Sequence, residues 1–155
     1  MGQALECRHA RATDANHSRL LDRLGARTDP RNSPAHHRIG RRGEEVAYFY
    51  LRKLGYVMVA RNYRSARRRG EIDLIGWDRD VLCFIEVKTR TSREVKPAEA
   101  AVDREKRREL AGMAFDYLRH AGEHTQWRFH VISVYFENSN PSVRIELFKN
   151  AFSVA

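Results

Sequence analysis

The stretch Leu82-Cys83-Phe84-Ile85-Glu86-Val87-Lys88 constrains the fold most, because it is apolar on both of its alternating faces. Successive side chains of a strand point to opposite sides, so Leu82, Phe84, Glu86 and Lys88 share one face and Cys83, Ile85 and Val87 the other. A strand apolar on both sides predicts a central position in a sheet covered by helices, with its two charges gathered at one end. The run before it, Glu71 to Trp77, is separated from Asp80 to Lys88 by Asp78 and Arg79, a short polar break that predicts a hairpin. Within that hairpin Asp73 interrupts Ile72, Leu74 and Ile75 much as Glu86 interrupts its own strand.

The elements around this hairpin are read from periodicity. From Gly40 the apolar residues Ala47, Tyr50, Leu51 and Leu54 fall at helical spacing with Gly55 as a stop, which predicts a first helix. Tyr56 to Arg64 reads as a strand with Val57 and Val59 on one face, followed by an arginine-rich loop that Gly70 closes. Pro97 opens a second helical pattern to about His120, with Ala101, Leu110, Ala114, Tyr117 and Leu118 inward. Two more strands follow, Trp127 to Phe136 and Val143 to Phe148, with a turn over Glu137 to Ser142. The predicted order is αβββαββ, an α/β fold with a mixed sheet flanked by helices.

Residues 1–36 differ from the rest, with two prolines near the end of a polar, apolar-poor segment. Such composition predicts a flexible, disordered leader, with at most a short helix over Asp14 to Leu24. Residues 37–155 form the predicted domain. No run approaches the roughly 20 apolar residues that cross a bilayer, and no signal-peptide pattern opens the chain, so a cytoplasmic protein without membrane contact is expected. Cys7 and Cys83 are expected as reduced thiols, with Cys83 a small core residue. The formal net charge of +9 favours a polyanionic partner, of which nucleic acid is the commonest in a cytosol. A ribosomal contact, a membrane surface or a merely basic exterior fits that charge equally well.

The residues that carry chemistry are acidic. Glu44 shares the inward face of Ala47 and Leu51, and burying an unpaired carboxylate costs several kcal/mol unless a cation, a metal or a substrate compensates. The alternative is a first-turn glutamate helped by the helix dipole. With Asp78 and Arg79 as a two-residue loop, Trp77 faces Asp80 and Asp73 faces Phe84, which makes Asp73 a diagonal neighbour of Glu86 on one face. An odd-numbered loop would separate them onto opposite faces. Two carboxylates can hold Mg²⁺ or Mn²⁺ beside a scissile phosphate, and Lys88 can orient water or offset developing charge. Taken alone, Glu86 and Lys88 would be an ordinary ion pair. Glu44, Asp73, Glu86 and Lys88 together, all in apolar settings, point to metal-dependent hydrolysis of phosphodiesters.

Gly40-Arg41-Arg42-Gly43-Glu44-Glu45-Val46-Ala47, Asn62-Tyr63-Arg64, Gly70-Glu71-Ile72-Asp73-Leu74-Ile75 and Phe84-Ile85-Glu86-Val87-Lys88-Thr89-Arg90 closely resemble the YraN family. That family belongs to the PD-(D/E)xK nuclease superfamily and is similar to archaeal Holliday-junction resolvases. The resemblance spans about Gly40 to Phe148. It implies a restriction-endonuclease-like core with Asp73, Glu86 and the Val87 carbonyl as metal ligands, Lys88 as the catalytic lysine and Glu44 as the acid of the first helix. It also implies that Lys106 touches phosphate, that the substrate is DNA at branched or unusual structures, and that the protein works as a homodimer. In one departure, Arg128-Phe129-His130 stands where the family usually carries Arg-x-Asp, which removes a structural contact of that Asp.

Five arginines within nine residues, Arg61, Arg64, Arg67, Arg68 and Arg69, are expected with Arg90 to hold phosphates near the acidic site, or else to form a solvated loop. Tyr63 could stack on a base, although packing is the commoner role of such a residue. His120 and His124 have zinc-like spacing but lack an accompanying glutamate, and His36 and His37 are expected in solvent. Two rivals stay open beside the endonuclease: a non-catalytic nucleic-acid-binding protein that keeps the nuclease fold, and an RNA- or ribosome-associated factor.

Overall fold

The structure is a computed structural model that describes residues 35–90, 102–122, 124–136 and 142–154. The elements are α1 (Ala35–Lys53), β1 (Val57–Tyr63), β2 (Ile72–Asp78), β3 (Val81–Arg90), α2 (Arg104–Leu118), β4 (Gln126–Phe136) and β5 (Val143–Phe152). The order αβββαββ is the one expected. The leader up to residue 34, Ala101 and most of the turn after Phe136 lie outside the described residues.

The five strands form one sheet in sequential order, antiparallel except where β3 and β4 run parallel. The connection from β3 to β4 passes through α2, and such a parallel crossover requires an intervening element. β3 lies in the middle of the sheet, and its two faces feed two cores. Leu82 and Phe84 pack with Leu110, Met113 and Ala114 of α2. Cys83 and Ile85 pack with Ala47 and Leu51 of α1. Cys83 is fully buried, as expected of a small core residue.

Five local expectations are corrected. α1 begins at Ala35 rather than at Gly40, and Leu54 is 51% exposed rather than inward. The helix has already ended there: Gly55 turns at φ +91°, Gly55 N donates to Arg52 O, and Tyr56 N donates to Leu51 O. That pattern is a Schellman cap, which brings Tyr56 rather than Leu54 onto Leu51. In β1 a register shift between Met58 and Ala60 separates the two valines, so Val57 is exposed while Met58 is buried. α2 begins at Arg104, because Asp103 is extended and its Oδ1 accepts from Lys106 N at 2.8 Å, a side-chain N-cap, while Pro97, where the helical pattern was expected to open, lies outside the described residues. β5 continues past Phe148 to Phe152, whose ring stacks on Phe129 at 4.5 Å.

The hairpin register also moves. Asp78 pairs with Val81 and Trp77 with Leu82, so the two loop residues are Arg79 and Asp80, and Arg79 takes φ +56°. Asp78 stays in the strand because its Oδ2 accepts from Tyr56 Oη at 3.1 Å and from Lys149 Nζ at 2.7 Å. The loop remains even-numbered, so every side chain keeps its face. Continuing the ladder past Leu74 and Ile85 sets Asp73 opposite Glu86, not opposite Phe84.

Candidate active site

Asp73 and Glu86 therefore stand as a cross-strand pair, 9% and 5% exposed, on the α2 side of the sheet. The Asp73 carboxylate is fixed by the backbone of the opposing strand, with Val87 N donating to its Oδ2 at 2.6 Å. Burial and the Glu86 charge push the Asp73 carboxyl well above the ordinary range, against the opposing pull of the Val87 amide. Lys88 Nζ donates to Glu86 Oε1 at 2.8 Å. Glu86 Oε2 is buried with no hydrogen-bond donor, and Lys106 Nζ stands 3.8 Å from it.

These groups face a pocket of about 480 Å³ whose lining includes Gly40, Glu44, Glu71, Asp73, Glu86, Val87, Thr89 and Lys106. Glu44 reaches it from α1, which lies directly on β3 at Gly43: a Cβ there would collide with Thr89 Oγ1. The glycine thus sets the height at which Glu44 enters the pocket. Asn62 Nδ2 donates to Glu44 Oε2 at 2.9 Å, and Asn62 holds φ +48° to do so, a conformation that asparagine tolerates better than most residues. Burial raises the Glu44 pKa, and the Asn62 bond partly offsets it. Lys106 enters from the first turn of α2, and its pKa is raised because Glu86, Glu109 and Asp73 outweigh its burial. Lys88 does not line the pocket and meets it through Glu86.

The basic residues divide. Arg64 is bound to Glu71 at 2.6 Å, and Arg68 lies on Gly112 and pairs with Asp116 at 3.2 Å, an acid that also accepts from Ser65 Oγ. The bonds to Asp116 pin the arginine loop to α2. Arg61 sits over the Tyr48 ring at 4.8 Å, while Arg67 and Arg69 are exposed. Arg90 is half-buried, with its Nε without a hydrogen-bond partner. Tyr63 packs edge-on against Tyr117 at 5.1 Å, which is a core role. His120 and His124 are exposed, and among the described residues no three His, Cys, Asp or Glu side chains form a closed ligand cage.

His130, the departure noted above, is buried on the other face of the sheet, where its Nδ1 accepts from Asn150 N at 3.1 Å. It does not touch the carboxylate pair. Sequence reasoning assigned no role to Asn62, Thr89 or Glu109. Asn62 and Thr89 were visible only as parts of motifs, and the meetings of Asn62 with Glu44, Thr89 with Gly43 and Glu109 with Gly70 join segments distant in sequence.

The model of the Uncharacterised protein family UPF0102 matches residues 43–134, a segment that contains Glu44, Asp73, Glu86, Lys88 and Lys106. A UPF0102 protein of Koribacter versatilis (strain Ellin345) is 49% identical over 134 residues, 86% of this chain and 90% of that protein. The chain belongs to UPF0102. Another UPF0102 protein, from Solibacter usitatus (strain Ellin6076), is 45% identical over 136 residues, covering 86% of this chain and 98% of its own length. One from Pelotomaculum thermopropionicum is 40% identical over 115 residues, 74% of this chain and 94% of its own. UPF0102 is the YraN family that the motifs resemble. Its α/β core, with a mixed sheet between two helices, fits a restriction-endonuclease-like fold. No helix among the described residues is long and apolar enough to cross a membrane.

The donor set suits a hard divalent cation. Two carboxylates converge from adjacent strands, one Glu86 oxygen has no hydrogen bond, and the burial and mutual repulsion that raise the Asp73 pKa are what a cation between them would offset.

Proposed function

We propose that this UPF0102 chain is a cytoplasmic endonuclease that hydrolyses DNA phosphodiester bonds with Mg²⁺ or Mn²⁺. The observation that carries the reading is the buried Asp73 and Glu86 pair, set directly opposite each other in a pocket with one carboxylate oxygen unpartnered. Asp73 and Glu86 would hold the ion, with the Val87 carbonyl as a further oxygen and Glu44 at the pocket wall. Bound there, the ion would polarise the phosphate and make water a better nucleophile at neutral pH. Lys88, anchored on Glu86, would offset negative charge as water adds to phosphorus and the bond to the leaving oxygen breaks. Exposed Arg67 and Arg69, with Lys106 in the pocket, would hold the polyanion through its backbone without reading sequence.

A second reading, a nucleic-acid-binding protein without turnover, is favoured by one specific observation. Glu44 is tied to Asn62 and does not complete a cage with the carboxylate pair. One experiment separates the two. Purified protein is incubated with Mn²⁺ and linear, nicked, flapped and four-way DNA beside an Asp73→Ala control. Cleavage lost in the control supports the enzyme, cleavage retained in it points to a contaminant, and binding without cleavage supports the module. The proposed homodimer is checked on the same sample by sedimentation.

A further inference from the structure

We infer that Lys106 acts as a resident counter-cation shared between the carboxylate pair and Glu109, an ammonium that a divalent ion must push away from Glu86 and leave wholly to Glu109. The inference rests on the metal reading above. Lys106 Nζ donates to Glu109 Oε1 on its own helix at 3.3 Å and stands 3.8 Å from Glu86 Oε2 inside the pocket. The longer contact is outside hydrogen-bond range, so its attraction is purely that of charge. Lys88 already occupies the other Glu86 oxygen at 2.8 Å, which leaves Oε2 as the Glu86 oxygen open to an incoming ion.

The surrounding geometry lets only the lysine stem move. Its backbone is held by the Asp103 cap, Lys106 N to Asp103 Oδ1 at 2.8 Å. Glu109 is seated against Gly70, where φ is +100° and any Cβ would collide with the glutamate carboxylate. A receiving site for the ammonium is therefore built by a glycine that no larger residue can replace without displacing Glu109. A divalent ion on Oε2 and an ammonium within 4 Å of the same oxygen repel each other, so binding of one opposes the other. A lysine with a second carboxylate one helical turn away moves aside at small cost.

The test is a titration of the full chain with Mn²⁺ alone, followed by calorimetry, with Glu86→Gln as the control for the site. Lys106→Met is expected to tighten Mn²⁺ binding by about tenfold, because no ammonium has to leave. Glu109→Gln is expected to weaken it by a few-fold, and that effect should shrink in the Lys106→Met background. In EDTA the Lys106→Met protein should melt at a lower temperature than wild type, and Mn²⁺ should raise its Tm more. Unchanged or weaker Mn²⁺ binding in Lys106→Met, with Glu86→Gln still abolishing it in wild type, would overturn the inference and leave the metal site standing. No Mn²⁺ binding in wild type or in Lys106→Met would overturn the metal reading and this inference with it.

Discussion

The two ends of the β2–β3 hairpin each carry an aspartate, and their surroundings are opposite. At the turn, Asp78 accepts from Tyr56 and Lys149, and the lysine bond holds its carboxyl below the ordinary range despite some burial. At the open end, Asp73 is more deeply buried, has one backbone donor, and faces Glu86 instead of a cation. The first is a carboxylate whose charge the fold neutralises and uses to anchor β5 against β2. The second is a charge the fold compensates only in part, through the Val87 amide and a distant Lys106, and such sites persist where a ligand supplies the missing interaction.

The sharpest way to break this contrast is Glu86→Gln. Under the proposed function it should lower Mn²⁺ affinity by roughly 100-fold or more while leaving the fold intact, since first-layer ligands exceed the 10- to 100-fold effects of their supports. Calorimetry with circular dichroism decides it, and wild-type affinity in the variant would reduce the Asp73 end to a structural pair. A smaller effect is expected at Gly43, where alanine meets Thr89 and must push α1 away from β3. Overpacking of that kind costs about 1–3 kcal/mol, readable by urea denaturation, and should weaken Mn²⁺ binding if Glu44 contributes.

Asp73→Asn should act in the unusual direction. Its folded-state pKa lies above the unfolded value, so the ionised form is penalised in the folded protein alone. The penalty is absent below about pH 4 and grows as pH rises from there toward the folded pKa. Asparagine keeps an oxygen for the Val87 amide, and in EDTA at pH 8 it should stabilise the protein by about 2 kcal/mol, with no gain near pH 4. A loss of stability at pH 8 would show that the aspartate is neutralised as Asp78 is.

The mildest expected effect is at the turn itself. Asp78→Asn should cost no more than about 1 kcal/mol, because its lysine partner is largely in solvent and salt screens the pair. With a lowered folded pKa, the stabilisation Asp78 gives is present above about pH 4 and is lost as pH falls through the folded value. Mn²⁺ affinity should not change. A large drop in Mn²⁺ binding would mean the two ends of the hairpin are not separate devices.

Much of this was legible in the residues themselves. The doubly apolar run around Phe84 located the central strand, and the spacing of Ala47 and Leu51 located α1. The arginine loop was legible as a cluster but not in its attachments, since Asp116, which holds Arg68, lies 48 residues away on α2. The helix boundaries moved because caps decided them: Asp103 starts α2, and Gly55 with Tyr56 ends α1 before Leu54 can turn inward.

By itself, the sequence determined which face each residue of the hairpin takes, because alternation is a local property of an extended backbone and an even-numbered loop preserves it. It therefore put Asp73 and Glu86 on one side of the sheet. Whether they stand diagonal or directly opposite depends on a slip of two residues, to which alternation is blind. Tertiary contacts made that choice: Tyr56 and Lys149, 22 and 71 residues from Asp78, hold it in the strand and draw the two carboxylates face to face.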